Sequence, residues 1–80
     1  MLESDVYSAL TEILRDLFMN DDLIVTPDLS ANRVHGWDSF KQIEIILATE
    51  ERFGVKFTTQ EVESLKCVGD LSALILKHTV

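Results

Sequence analysis

Apolar side chains along this chain recur at helical spacing in several places and lose that period in one long stretch. From Asp5 to Met19, Val6, Leu10, Ile13, Leu14 and Leu17 stand three or four positions apart, with Tyr7 and Phe18 beside them. The spacing predicts an amphipathic helix, capped by Ser4 or Asp5 and with Arg15 toward its negative end. Asn20-Asp21-Asp22 breaks the pattern. From Asn20 to Trp37 no period is sustained, and Pro27, Asn32 and Gly36 mark turns. Links between bundled helices commonly run about 2–8 residues, so a connection of this length is unusual. Its apolar Leu23, Ile24, Val25, Leu29 and Val34 predict that it packs onto the helices, and ordered loops of this kind often position a site.

Periodicity returns at Ser39 and runs to Phe53. Asp38 is placed to cap this second helix and Gly54 to stop it. Phe40, Ile43, Ile46, Leu47 and Glu50 track one side, which predicts the buried face, while Glu44, Glu51 and Arg52 fall toward solvent. Val55-Lys56-Phe57 reads as a short extended link. Thr58-Thr59-Gln60-Glu61 is a capping box, opening a short helix that reaches about Leu65. A last helix from Val68 to about His78 places Leu71, Leu74, Ile75 and His78 together, with Asp70 in its first turn and Lys77 in its last. Gly69 costs that helix about 1 kcal/mol relative to alanine, which predicts a frayed start. The pattern is that of an all-α four-helix bundle with a long loop between helices 1 and 2 and a short third helix.

Composition narrows the picture. The chain has 80 residues, enough for a single domain over residues 1–80. With 46% hydrophobic residues it can build one compact core rather than remain disordered. A formal net charge of −7 repels nucleic acid and favours partners that carry basic patches. No apolar run approaches the roughly 18 residues a membrane span requires, and Met1-Leu2-Glu3-Ser4-Asp5 lacks the basic and apolar regions of a secretory signal. A cytoplasmic protein, monomeric and without a membrane span, is the expectation. The single Cys67 allows no internal disulfide and, with His35 and His78, forms no metal-ligand spacing, so no metal site is expected. Cys67 reads as a small apolar filler, His78 as a residue at a helix end, and Trp37 as a loop anchor or a contact residue.

The chemically distinctive position is Ser39, a hydroxyl where the second helix begins. Unpaired N–H groups and the positive end of the helix dipole meet there, and an anionic group at an exposed helix start gains roughly 0.3–1 kcal/mol. Used as a nucleophile, Ser39 would need a base such as His35, in the loop. No G-x-S-x-G elbow and no parallel sheet support that use, so no catalytic residue is assigned. The carboxylates Glu44, Glu50, Glu51, Glu61 and Glu63 make a solvated face that can dock basic partners. Asp38, Phe40, Glu44 and Ile45 are the candidate contacts.

Gly36-x-Asp38-Ser39-Phe40, then Ile43-Glu44-Ile45 and Ala48-x-Glu50-Glu51-x-Phe53-Gly54-Val55, with Val68 following in register, resembles an acyl carrier protein across nearly the whole chain. The resemblance implies that Ser39 carries a covalent 4′-phosphopantetheine arm, installed from coenzyme A by a phosphopantetheinyl transferase. It further implies a non-enzymatic role: the arm holds acyl or aminoacyl groups as thioesters for loading and acyl-transfer enzymes of lipid, polyketide or other specialised biosynthesis. Three departures mark a specialised, stand-alone carrier. His35 and Phe40 stand where the family has leucines, and Lys41 reverses a charge on the docking helix. Peptidyl carriers usually place His or Gly before the serine, so Asp38 favours acyl cargo. A non-enzymatic acidic helical interaction module without a prosthetic group is the alternative reading.

Overall fold

In the computed structural model, which describes residues 2–79, the chain folds into four α-helices with no strand among the described residues. They are α1 (Glu3–Leu17), α2 (Ser39–Phe53), α3 (Thr59–Glu63) and α4 (Val68–Thr79), with a 3-10 turn at Ala31–Arg33 in the long loop. The predicted all-α bundle, its long loop and its short third helix are all present. Helix α1 packs on both α2 and α4. Val6, Leu10, Leu14, Ile45, Val68 and Ile75 are fully buried at the centre.

Helix α1 begins earlier and ends earlier than its periodicity suggests. Leu2 takes the cap position, and the Asp5 carboxylate accepts a hydrogen bond from the Leu2 N–H at 3.2 Å. Neither Ser4 nor Asp5 is therefore the cap; Asp5 instead supplies the returning half of a capping box from inside the helix. At the far end the Asn20 N–H reaches the Arg15 carbonyl (3.0 Å) and the Met19 N–H the Asp16 carbonyl (3.3 Å). That pair of bonds is a Schellman closure, which needs a left-handed residue, and Met19 supplies it with φ +51°. The corresponding residue of α2 is Gly54, φ +66°, as the sequence predicts.

Helix α2 keeps its predicted limits but is rotated from the predicted face. Ile45, Ile46 and Thr49 are buried, whereas Phe40 (77% exposed), Ile43 (57%) and Leu47 (58%) face out. Thr49 tolerates complete burial because its hydroxyl donates to the Ile45 carbonyl one turn back, at 2.7 Å. A threonine thus belongs to the core stripe. Two neighbouring apolar rows, only one of which the core covers, made the face ambiguous in sequence.

The long loop is tied down at both ends. Arg15 Nε donates to the Leu23 carbonyl at 2.8 Å, and Leu29 is buried in the core. Leu23 and Val25 pack against the core while Ile24 between them is exposed, the alternation of an extended strand segment. The Leu29 and Pro27 carbonyls then accept the N–H groups of Val68 and Gly69, each at 2.8 Å. These are the unpaired donors of the first turn of α4. The expected fraying at Gly69 is replaced by a backbone clasp, and glycine is what permits it. A Cβ on Gly69 would lie 3.0 Å from the Pro27 carbonyl oxygen.

Candidate functional site

The first turn of α2 is held from three directions. Asp38, in extended backbone conformation, accepts the Lys41 N–H on Oδ1 at 2.8 Å, and its carbonyl accepts the Gln42 N–H at 2.9 Å. This leaves the N–H groups of Ser39 and Phe40, the first two helical residues, without partners in the helix. The Trp37 indole donates to Gln42 Oε1 at 2.7 Å and packs on Phe18 with ring centroids 5.6 Å apart. Trp37 is thus a loop anchor, half-buried between α1 and α2. The Lys41 ammonium donates to the Leu17 carbonyl at 3.1 Å and lies 5.8 Å from the centroid of the Phe18 ring. It lies 3.8 Å from Glu44 as well.

Lys41 therefore does not present a reversed charge to the outside, as its place in the sequence suggests. Most of its side chain is covered, and its ammonium sits against the negative end of α1. The sequence could not show this contact, which spans 24 positions.

Ser39 is exposed at the first position of α2. Beside it opens a cavity of about 840 Å³, whose lining includes Ser39, Asp38 and Trp37 at one end. Leu14, Ile43, Ile45, Val68 and Leu71 contribute apolar surface from α1, α2 and α4, and Val62 and Leu65 from α3 and the residues after it. Cys67, also in the lining, is half-buried, consistent with a small filler. His35 is exposed and takes no part in the hydrogen bonds that order this helix end. The site has an accessible hydroxyl, unpaired helix N–H groups and an apolar recess. It has no charge relay.

An anionic tether on Ser39 fits this arrangement: the hydroxyl is reachable, the helix start favours negative charge, and the recess beside it is greasy. Asp38 adds one carboxylate nearby, but that group is engaged as the cap. Among the described residues no group of three or more His, Cys, Asp or Glu could hold a metal ion.

Of the four candidate contact residues, the structure brings three to the surface. Asp38, Phe40 and Glu44 are exposed, but Ile45 is 1% exposed and cannot touch a partner. Its side chain is on the core face because it lies on the same stripe as Thr49. The exposed apolar row instead runs Phe40–Ile43–Leu47, with Glu44 and Glu51 beside it. Ile43 and Leu47, which the sequence places on the buried face, are exposed. The signal was an excess: α2 carries more large apolar residues than one buried face can hold.

The sequence matches a family described as a phosphopantetheine attachment site over residues 8–75, a range that contains Ser39. It is 32% identical to an acyl carrier protein of Acidothermus cellulolyticus, over 98% of this chain and 93% of that protein. To the acyl carrier protein MbtL of Mycolicibacterium paratuberculosis it is 41% identical, over 91% and 82%. To the meromycolate extension acyl carrier protein of Mycolicibacterium aurum it is 31% identical, over 94% and 77%. The solution structure of a holo acyl carrier protein from Geobacter metallireducens superposes with a TM-score of 0.84 at 38% identity, covering 90% of this chain and 83% of that one. The chain belongs to the phosphopantetheine-attachment family and is an acyl carrier protein, a carrier rather than an enzyme, with covalently attached 4′-phosphopantetheine as its cofactor.

Proposed function

We propose that this acyl carrier protein bears its arm on Ser39 and forms one domain over residues 1–80. The observation that carries the assignment is an exposed hydroxyl at the first position of α2, opening onto the apolar cavity. The unpaired N–H groups of Ser39 and Phe40 favour the phosphodiester, and Asp38 holds that turn helical whether or not the arm is attached. When bound, the arm supplies a terminal thiol that holds cargo as a thioester. The cavity walls then offer an apolar acyl chain a place out of water, which favours acyl over aminoacyl cargo.

Carriers of this family work with a phosphopantetheinyl transferase and with partner enzymes of biosynthesis. Here Phe40, Ile43 and Leu47 are read as the apolar centre of the partner surface, and Asp38, Glu44 and Glu51 as its acidic rim. With Lys41 folded against α1, the start of α2 addresses partners through Phe40. Similarity to MbtL and to the meromycolate extension carrier supports service in a specialised pathway rather than general fatty-acid synthesis. No described helix is long and apolar enough to cross a membrane, and a cytoplasmic monomer is the reading adopted.

The test is modification in vitro. Apo protein incubated with coenzyme A, magnesium and a broad-specificity transferase should gain the mass of one arm, and Ser39→Ala should gain none. Modification of Ser39→Ala, or an unmodified wild-type protein beside a modified control carrier, would overturn the assignment.

A further inference from the structure

The wall of the cavity formed by α3 is held differently from the others. Helix α3 is five residues long and buries no side chain completely. Val62 and Leu65 pack half-buried against the core, and the polar attachment of α3 to α4 converges on one carboxylate. Glu61 Oε1 accepts the Thr58 N–H at 2.9 Å, completing the capping box, while Oε2 lies 2.9 Å from His78 Nε2 and 3.8 Å from Lys77 Nζ on α4. The His78 ring also packs on Phe57, centroids 5.4 Å apart, in the link before α3. His78 is thus not loose at a helix end but fastened to α3 and to the link that leads into it. Val62, next in sequence to Glu61, lines the cavity.

We propose that the Glu61–His78 pair is a latch that holds α3 shut against the cavity beside Ser39, and that protonation of the imidazole tightens it. The functional consequence rests on the reading of that cavity as the shelter for cargo, but the latch itself does not. Two charged groups reach His78 in the structure: Glu61 from α3, and Lys77 from its own helix through the shared Oε2. From the link the contact is the uncharged Phe57 ring. A neutral imidazole makes an ordinary hydrogen bond to the carboxylate, and an imidazolium makes a charge-assisted one that also neutralises it. Histidine changes charge between about pH 5 and 8, so the latch loosens toward the alkaline end of that range. The Thr58 N–H, then His78, hold the Glu61 carboxyl below its ordinary value, so the carboxylate stays ionised where the imidazole is charged. Loosening frees α3 without disturbing α1 or the centre of α4, because the pair lies at the far end of α4 from the Pro27–Gly69 clasp.

The experiment is amide hydrogen exchange by NMR on the apo protein at pH 6 and pH 8, each rate divided by its intrinsic value at that pH. The reporters are the hydrogen-bonded amides of Val62, Ser64 and Leu65, with Leu10 and Ile75 as controls. In the wild type, the reporters should exchange severalfold faster at pH 8 than at pH 6. His78→Gln and Glu61→Gln, which keep a polar side chain, should exchange severalfold faster at pH 6 and lose the pH difference, with the controls unchanged. Wild-type rates independent of pH, or variants matching wild type, would overturn the latch. So would controls accelerated as much as the reporters, since the pair would then be ordinary structural support. None of these results depends on loading Ser39, so failure here is distinct from failure of the serine assignment.

Discussion

The two walls of the cavity beside Ser39 are built on opposite principles. The α2 wall is fixed: a capped first turn, an indole hydrogen bond, a lysine pinned to the end of α1, and a stripe of Ile45, Ile46 and Thr49 sunk in the core. The α3 wall is a single turn or so of helix with no fully buried side chain, resting on the core through half-buried Val62 and tied to α4 through Glu61. Burial of large side chains gives a steep well that small displacements cannot leave, whereas a few exposed polar contacts give a shallow one. The contrast separates two duties. One wall presents the attachment point in a constant position, and the other is able to yield to what the attachment brings.

Substitutions in the two walls should differ most in stability. Ile45→Ala is expected to cost about 2–5 kcal/mol, because it leaves a void among residues that cannot collapse. Val62→Ala, on the half-buried face of α3, should cost about 1 kcal/mol or less. Denaturant melts of both variants check this, and equal losses would abolish the distinction between the walls.

The clasp between loop and α4 sharpens the comparison from the fixed side. In an unconstrained helix Gly69→Ala gains about 1 kcal/mol. Here the new methyl meets a carbonyl that its own N–H already holds at 2.8 Å, so the oxygen cannot retreat without stretching that bond. Overpacking commonly costs about 1–3 kcal/mol, and a net loss of about 1 kcal/mol is expected from the same melts.

Acid probes the yielding wall. Glu61 has a folded-state pKa below its unfolded value, chiefly because of the Thr58 N–H. Its contribution is therefore fully present above the unfolded value, about 4.3 for a glutamate, and is lost as pH falls through the folded value. Between wild type and Glu61→Gln, the difference in melting temperature should be largest just above about pH 5 and shrink as the pH falls below about 4.3. A difference that persists unchanged in strong acid would mean the ionised carboxylate does not fasten α3.

The smallest effect lies at the end of α1. Met19 is 92% exposed and left-handed, a conformation costing a non-glycine residue roughly 1–2 kcal/mol. Met19→Gly removes that strain but loosens the unfolded chain, for a net gain of about 0.5–1 kcal/mol in a thermal or urea melt.

Much of the site was legible because it is local. Asp38 as cap, Gly54 as stop and the Thr58–Glu61 box each involve residues within one helical turn, and each appears at its predicted position. The place of Ser39 followed directly from them. The face of α2 was not legible, because Ile43, Ile45, Ile46 and Leu47 follow one another so closely that more than one stripe satisfies the helical period. Ile45 went to the core and Ile43 to the surface because α1 packs on α2 along the side that carries Ile45, Ile46 and Thr49. The fates of Lys41, Gly69 and His78 depended on partners 24, 42 and 17 positions away (for Gly69, 69 − 27 = 42).

By itself, the sequence determined the helices, the caps of the second and third, and the hydroxyl at the head of the second one, since these follow from dihedral preference and hydrogen bonds among near neighbours. The packed bundle alone decided which apolar row would be buried, where the lysine charge would be spent, and that a histidine and a glutamate would close one wall of a cavity. Those choices turn on which surfaces exclude water together, and that is a property of the assembled helices rather than of any stretch of chain.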